Sequence, residues 1–503
     1  MSTLKELRDI RIDKLNNLKK LGIDPYTAIN KKNVNNIDLS EKFEEFDNKY
    51  VVVAGRIMAI RSHGKLAFID VHDESGKVQL YIKEDSMSQP DYKSNEIGFS
   101  DLDLLDVGDF IEGHGTITKT TRGEISVAIK IIRVLSKSLR PIPDILQDTE
   151  TRYRQRYVDM IVNPEVKKTM ETRSVIVQTI RESLMKHGFL EVETPVLQPI
   201  YGGASAKPFI TKHNALDSTY YLRISNELYL KRLIVGGFEK VFEFSRDFRN
   251  EGIDRSHNPE FTMLEFYWAY ADYNDLMNLT EEILREVIMR VKGSLKFEYQ
   301  GEMLDFTAPY KRITFRNIIL EKTGVDVDKV TREELINEIK TRKLDIDMKK
   351  NPPMKDLLDE FYKETCRKYI IQPFFLLDYP AEMIPLAKKK FDNPSKIASM
   401  QLVCMGFEII KAYNELNDPI DQFERMSKEQ TAIDTGATEE AQPIDLDFIK
   451  ALEIGMPPTA GWGMGIDRLC AFLLDQHTLK DVIIFPTLKP EQNKTTKDIL
   501  EED

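Results

Sequence analysis

The 503-residue sequence predicts an α+β chain: a small all-β barrel near the N-terminus, then a larger domain in which helices and strands alternate. Three observations carry that reading. Five segments rich in β-branched and aromatic residues crowd residues 50–135 between turn signals. The proline-broken stretch Leu139-Arg-Pro-Ile-Pro-Asp144 then stops secondary structure, with the basic run Arg152, Arg154, Arg156 beyond it. From residue 149 onward, helical periodicity recurs between short strand-like runs.

At the N-terminus, Leu4, Leu7, Ile10, Leu15, Leu18 and Leu21 recur at roughly helical spacing among charged residues. That is an amphipathic helix and not a secretory signal, which needs a continuous apolar stretch. No apolar run approaches the ~18–20 residues of a membrane span. With 41% hydrophobic and 31% charged residues the chain has material for a core, which excludes a mostly disordered protein. Cys366, Cys404 and Cys470 stand singly, without the spacing of a disulfide framework or a cysteine-rich zinc site, so a reducing cytoplasmic location is expected. A net charge of −12 argues against indiscriminate coating of nucleic acid, but leaves room for docking on one locally basic face.

The barrel strands are expected at 50–60, 66–71, 78–82, 110–118 and 125–135, separated by His63-Gly64, Glu74-Ser75-Gly76, Val107-Gly108-Asp109 and Arg122-Gly123. Five short strands in that length suit an OB-fold, with a generic small barrel as the alternative. The domain boundaries follow: a lead-in at 1–48, the barrel at 49–138, a hinge at 139–150 and the larger domain at 151–503, with a charged helical insertion at about 310–395.

Three stretches of the larger domain stand out. His187-Gly-Phe-Leu-Glu-Val-Glu-Thr-Pro195 follows a helix at 171–186, with Gly188 as its C-cap and a strand ending at Pro195; it is scaffold. Residues 241–273 read as two strands joined by a loop at 252–258. Alternation puts Glu243, Ser245, Asp247, Arg249 and Glu251 on one face of the first strand, and Phe261, Met263, Glu265 and Tyr267 on one face of the second. Acids, an arginine and aromatic rings gathered there suit either a salt-bridged hairpin or a site for a substrate carrying phosphate and ammonium. In Gly455-Met-Pro-Pro-Thr-Ala-Gly-Trp-Gly-Met-Gly-Ile-Asp-Arg-Leu469 a helix is expected from Ile466. The glycines before it fit an anion-binding turn or a closely packed strand. The stretch is neither a Walker A loop nor a convincing dinucleotide fingerprint.

In order, these stretches resemble the three signature motifs of class II aminoacyl-tRNA synthetases. Tyr201-Gly-Gly-Ala-Ser-Ala-Lys-Pro-Phe209, Leu222-Arg-Ile-Ser-Asn-Glu-Leu-Tyr-Leu-Lys231, Phe248-Arg-Asn-Glu-Gly252, His257-Asn-Pro-Glu-Phe261 and Glu415-Leu-Asn-Asp418 are similar to the lysyl-tRNA synthetases, over nearly the whole chain. The resemblance implies an OB-fold anticodon-binding domain, then a catalytic domain built on an antiparallel sheet with flanking helices. It also implies activation of L-lysine by ATP to lysyl-adenylate with release of pyrophosphate, and transfer of lysine to the 3′ end of tRNA(Lys). Positioning and charge neutralisation would supply most of that catalysis.

By the same resemblance Arg249 bridges the lysine carboxylate and the α-phosphate, and Phe261 stacks on adenine with Arg468 opposite it or near the γ-phosphate. Glu251 accepts from the adenine amino group, and His257 and Asn258 belong to the loop around the triphosphate. Glu227 and the Gly203 carbonyl hold the α-ammonium; Glu265, Tyr267 and Glu415 hold the ε-ammonium, with Lys411 and Tyr413 beside the substrate. Glu408 matches an acid that holds Mg²⁺ on the ATP phosphates, while the usual second acid is Gln401, a weaker ligand. Lys411 replaces a common asparagine. Alternation puts Glu408 on the opposite face from Lys411, Tyr413 and Glu415, so a bulge between Glu408 and Lys411 is required. In the barrel, Phe68 and Gln79 match positions that read anticodon uridines, with Arg61 and Glu124 as further contacts; the alternative for Phe68 is a core residue.

The resemblance further implies Mg²⁺ with ATP, no zinc, haem or flavin, a homodimer and no membrane partner. An aspartate or asparagine synthetase is disfavoured by Glu265, Tyr267 and Glu415. A lysyl-adenylate enzyme acting on protein would lack the barrel. A non-catalytic RNA binder is disfavoured by Arg249, Glu251, Phe261 and Arg468 together, though Gln401 and Lys411 depart from the pattern.

Overall fold

The computed structural model describes residues 3–121, 123–348, 352–435 and 441–490. Arg122 of an expected turn and the acidic tail at 501–503 lie outside these residues. Two compact units part between Asp148 and Thr149, the second ending at Leu488.

In the first unit the helix Leu4–Lys20 starts on a capping box, Thr3 accepting from the Glu6 N–H while the Glu6 carboxylate accepts from the Thr3 N–H. Leu18 from this helix is fully buried in the barrel core with Val53, Ile69, Leu80, Ile111 and Val127. The strands are β1 Tyr50–His63, β2 Leu66–His72, β3 Lys77–Lys83, β4 Glu96–Ile97, β5 Phe110–Lys119 and β6 Ile125–Ser136. Their order β3-β2-β1-β5-β6 is closed by parallel pairing of β3 with β6, and the two-residue β4 adds to β6. This is a closed five-stranded barrel of OB topology.

In the second unit the helix Pro164–Lys186 begins well before the expected residue 171, because Pro164 sits in its first turn, where no N–H is required. The strand expected to reach Pro195 is only β7 Leu190–Glu191. A small sheet follows, ordered β8-β10-β9, from β8 Leu197–Gln198, β9 Ile210–His213 and β10 Ser218–Leu222. The remaining strands are β11 Lys240–Phe248, β12 Glu260–Ala269, the hairpin β13 Lys296–Tyr299 and β14 Glu302–Asp305, β15 Lys311–Thr314, β16 Phe374–Leu377, β17 Ser399–Cys404, β18 Phe407–Asn414 and β19 Thr459–Gly465. Eight of them form the main sheet, β15-β16-β17-β18-β19-β12-β11-β7, antiparallel except for its two outermost pairs. Residues 310–395, read as a helical insertion, hold the helices Phe315–Thr323, Arg332–Thr341 and Met354–Thr365 but also β15 and β16 of this sheet.

One face of the sheet carries the main core: Phe242, Leu264, Phe266, Trp462 and Met464 pack against Ile176, Ile180, Ile283, Val287 and Leu469 of three helices. Period-two alternation sends the intervening residues to the other face. The register pairs Val241 with Tyr267, Glu243 with Glu265, Ser245 with Met263 and Asp247 with Phe261. The glycine-rich stretch is the strand β19, which sets Gly461 opposite Tyr267 and Tyr413, and Gly463 opposite Glu265 and Lys411. A side chain at 461 would run into Glu415 Oε1 and the Tyr267 ring, so glycine there keeps the face hollow. Between β17 and β18, Leu402 pairs with Ile410 but Val403 with Glu408. Ile409 is the extra residue of a bulge, lying between Glu408 and Lys411 as the sequence pattern requires.

Candidate active site

A cavity of about 400 Å³ lies over this hollow face. Gly203, Glu227, Arg249, Glu251, His257, Asn258, Phe261, Glu265, Tyr267, Glu408, Lys411, Tyr413, Glu415 and Arg468 all line it. Gln401 instead lines an adjoining cavity of about 1170 Å³, whose wall also includes His257, Glu408, Lys411 and Arg468.

At one end, Arg249 leaves β11 with its guanidinium carbon 5.0 Å from the Phe261 ring centroid, and its buried Nε has no hydrogen-bond partner. A permanently charged fork with an idle donor, beside an aromatic face, suits an oxyanion next to a flat base. Arg468 donates from Nη1 to the Glu408 carbonyl at 3.1 Å. Its neighbour Asp467 accepts from the Thr262 N–H at 2.9 Å and pairs with Arg173 at 2.6 Å, which fixes the start of the helix Ile466–Leu473 against β12. Asn258 has a structural task as well: its Nδ2 donates to the Glu260 carbonyl at 2.6 Å and its Oδ1 accepts from the Thr487 N–H at 3.2 Å. His257 Nδ1 lies 2.9 Å from Asp254, and both His257 and Glu251 are exposed on the loop.

The other end is built of buried carboxylates. Glu265 accepts from the Ser225 hydroxyl at 3.1 Å and from the Tyr267 hydroxyl at 3.0 Å. Burial, then Glu227 and Asp247, push its carboxyl up to about 8. Tyr413 OH donates to Glu227 at 3.0 Å, and Glu415 Oε1 is buried with no partner. Burial raises the Glu415 carboxyl well above the ordinary range, Glu227 and Glu265 adding to the effect against Lys231. Gly203, at φ +88°, lies so close to Ser225 and Glu227 that a Cβ would fall 2.7 Å from Ser225 Oγ. Two partners of this end escape a sequence reading. Ser225 lies in the stretch 222–231 but nothing there gives it a role, and Lys231, fully buried between Glu227 and Glu415, looks from its spacing like an ordinary i,i+4 surface pair. Beneath them, buried Arg223 pairs with Glu243 at 2.7 Å and Asp247 at 3.3 Å.

Residues 148–489 match the family described as tRNA synthetases class II (D, K and N), and residues 51–135 match the OB-fold nucleic acid binding domain. The chain is 46% identical over 494 residues to the lysine–tRNA ligase of Thermoanaerobacter pseudethanolicus, across 97% of each chain. Against the lysine–tRNA ligase of Carboxydothermus hydrogenoformans it is 47% identical over 490 residues, across 97% of this chain and 99% of the relative. The lysine–tRNA ligase of Clostridium tetani is 46% identical over 494 residues, across 96% of each. The chain belongs to the class II lysine–tRNA ligases.

The cavity offers few metal ligands. Among the described residues no group of three His, Cys, Asp or Glu side chains could hold an ion. Gln401 Oε1 accepts a hydrogen bond from the buried Tyr379 hydroxyl, which uses one of its two lone pairs, and Glu408 lines the same cavity as the carboxylate donor. One carboxylate with substrate phosphates and water still fits Mg²⁺, which keeps most of its own shell.

On the barrel of this ligase, Phe68 is half-buried on the outer face of β2, alternating with the buried Ala67 and Ile69. It pairs across strands with Arg61 and Tyr81, and Tyr81 packs on it with ring centroids 5.4 Å apart. Gln79 is buried beside them and accepts from Ser126 Oγ at 3.1 Å; Arg61 pairs with Asp70 at 3.0 Å; Glu124 is exposed just before β6. Tyr81 is a second aromatic that the sequence reading passed over, although it shares Gln79's face by simple alternation.

Proposed function

We propose that the cavity binds L-lysine and ATP together, forms lysyl-adenylate, and passes lysine to the 3′-terminal adenosine of tRNA(Lys). The observation that carries this reading is three buried carboxylates, Glu227, Glu265 and Glu415, around one cavity that also holds Arg249 with an idle donor. A molecule with two ammonium groups and one carboxylate matches that arrangement. Gly203 and Glu227 take the α-ammonium, and Glu265, Tyr267 and Glu415 take the ε-ammonium with Tyr413 beside it, Glu265 being held by Ser225 and Tyr267. Uncharged side chains leave the acids unpaired, and acidic ones are repelled.

Arg249 holds the lysine carboxylate against the α-phosphate. A carboxylate oxygen attacks phosphorus, the bond to the bridging oxygen breaks, and pyrophosphate leaves; Arg468 faces its charge. A ribose hydroxyl of the tRNA then attacks the acyl carbon and AMP departs. Phe261 provides the plate for adenine, and Glu251, His257, Asn258 and Lys411 line the rest; Glu408 would hold Mg²⁺, which would neutralise charge on the ATP phosphates. The test is amino-acid-dependent ATP–pyrophosphate exchange with all twenty amino acids. Exchange with lysine alone is expected; exchange with another amino acid, or none from folded protein, overturns the reading.

On the barrel, Phe68 and Tyr81 offer stacking surface for anticodon bases, with Arg61, Gln79 and Glu124 around it. The expected result for Phe68→Ala is a KM for tRNA raised about tenfold or more, with exchange unchanged, since stacking is worth ~1–3 kcal/mol per base. Leu190, Leu197, Ile210 and Leu216 are exposed on and around β7 to β9, apolar surface that a second copy would cover in a homodimer. The three cysteines, buried and unpaired, suit the cytoplasm.

A further inference from the structure

Lys231 belongs to none of the steps above, yet it touches two of the three acids. It lies on the helix Glu227–Val235 and its side chain is fully buried. Its Nζ is 2.5 Å from Glu227 Oε1 and ion-paired with Glu415 Oε2. The rings of Phe448 and Tyr413 lie 5.9 Å and 6.0 Å from it. A lysine buried this deeply is ordinarily neutral, but here two carboxylates outweigh the burial and keep the ammonium charged. The ionisable groups facing the cluster are Glu227 from its own helix, Glu265 and Tyr267 from β12, Tyr413 from β18 and Glu415 just beyond it.

Counting charges gives the cluster a purpose. Three carboxyl groups meet one resident ammonium, and burial holds the Glu265 and Glu415 carboxyls above the ordinary range; the two ammonium groups of lysine supply the two further positive charges that let all three ionise. We infer that Lys231 is the positioning residue that sets this count: by pairing with both Glu227 and Glu415 and holding them aimed at the cavity, it makes the cavity selective for substrates with two ammonium groups. The inference rests on the lysine reading of the cavity. Without the resident cation, one acid keeps its proton even beside bound lysine, remains a hydrogen-bond donor, and tolerates a neutral hydroxyl where an ammonium belongs.

The test compares wild type with Lys231→Met, Lys231→Gln and Lys231→Arg in ATP–pyrophosphate exchange, using lysine and its neutral isostere 6-hydroxynorleucine. The two neutral replacements are expected to raise the KM for lysine about thirtyfold or more without moving the KM for ATP. They also narrow the lysine preference over the isostere about tenfold, and shift the acid limb of kcat/KM for lysine upward by about one pH unit. Arginine keeps the charge and restores the wild-type pH limb. If one neutral variant fails to fold, the other reads the same charge loss. An unmoved pH limb and unchanged discrimination in a folded neutral variant overturn the proposal, leaving Lys231 as packing alone. Wild-type protein that does not exchange with lysine refutes the lysine reading itself, which is a separate result.

Discussion

Arg249→Ala is expected to lower lysine-dependent ATP–pyrophosphate exchange by about three orders of magnitude, the usual loss when a donor aimed at developing charge is removed. The fold should be indifferent to the change. The guanidinium lies against the Phe261 ring and leaves a buried Nε unpaired, so among the described residues truncation breaks no ion pair that stabilises the unit. The loss should fall on kcat more than on either KM, because the arginine is asked to hold attacking carboxylate and α-phosphate together at the moment the bond forms. Arg249→Lys keeps the charge and loses the two-pronged geometry, and should recover only part of the rate. Steady-state exchange kinetics beside a thermal melt decide it: an effect confined to KM would remove Arg249 from the bond-forming step.

Glu265→Gln should move activity and stability in opposite directions. Glu265 is pushed up to about 8 by burial and by its acidic neighbours, whereas an unfolded carboxyl titrates near ~4.3. The folded state therefore binds the proton more tightly than the unfolded one. Its stabilising contribution is complete below the unfolded value, and is lost as pH rises through the folded one. Glutamine removes that penalty, so at neutral pH the variant should be more stable by roughly 2–4 kcal/mol, the gap opening between pH 5 and pH 8 and closing towards pH 5. Exchange should fall by more than about a hundredfold, since the amide leaves an ammonium without its counter-charge. Thermal melts at pH 5, 7 and 9 provide the check; a difference that does not vary with pH would mean that ionisation of Glu265 is not its source.

Much of this site was legible in the sequence because strands have a rigid period. Alternation alone puts Glu265 and Tyr267 with Phe261, and the conflict between Glu408 and Lys411 requires the bulge found at Ile409. The barrel strands were legible for the same reason, turn residues marking where each pattern resets. What remained hidden was decided by tertiary neighbours. Lys231 and Ser225 owe their roles to groups up to 184 and 40 residues away, and nothing in a local window distinguishes a buried Glu–Lys pair from a solvated one. The glycine-rich stretch kept two readings open until the sheet order placed β19 between β12 and β18, where missing side chains are the point. Gln401 is a similar case: its amide oxygen is taken by Tyr379, a partner invisible at the level of motif.

The extra residue at Ile409 has a consequence for how this molecule can change over generations. A bulge acts as a phase boundary along a strand: in the proposed reading, side chains on one side of it serve the nucleotide through Glu408, and those on the other serve the amino acid through Lys411, Tyr413 and Glu415, all four lining the cavity. Point replacements on either side of that boundary leave the other side's orientation alone, so amino-acid preference can drift while phosphate handling stays fixed. Loss of a single residue there would turn every downstream side chain to the opposite face in one step. The segment is thus permissive to substitution and intolerant of deletion, a signature that mutational libraries across 405–415 can read directly.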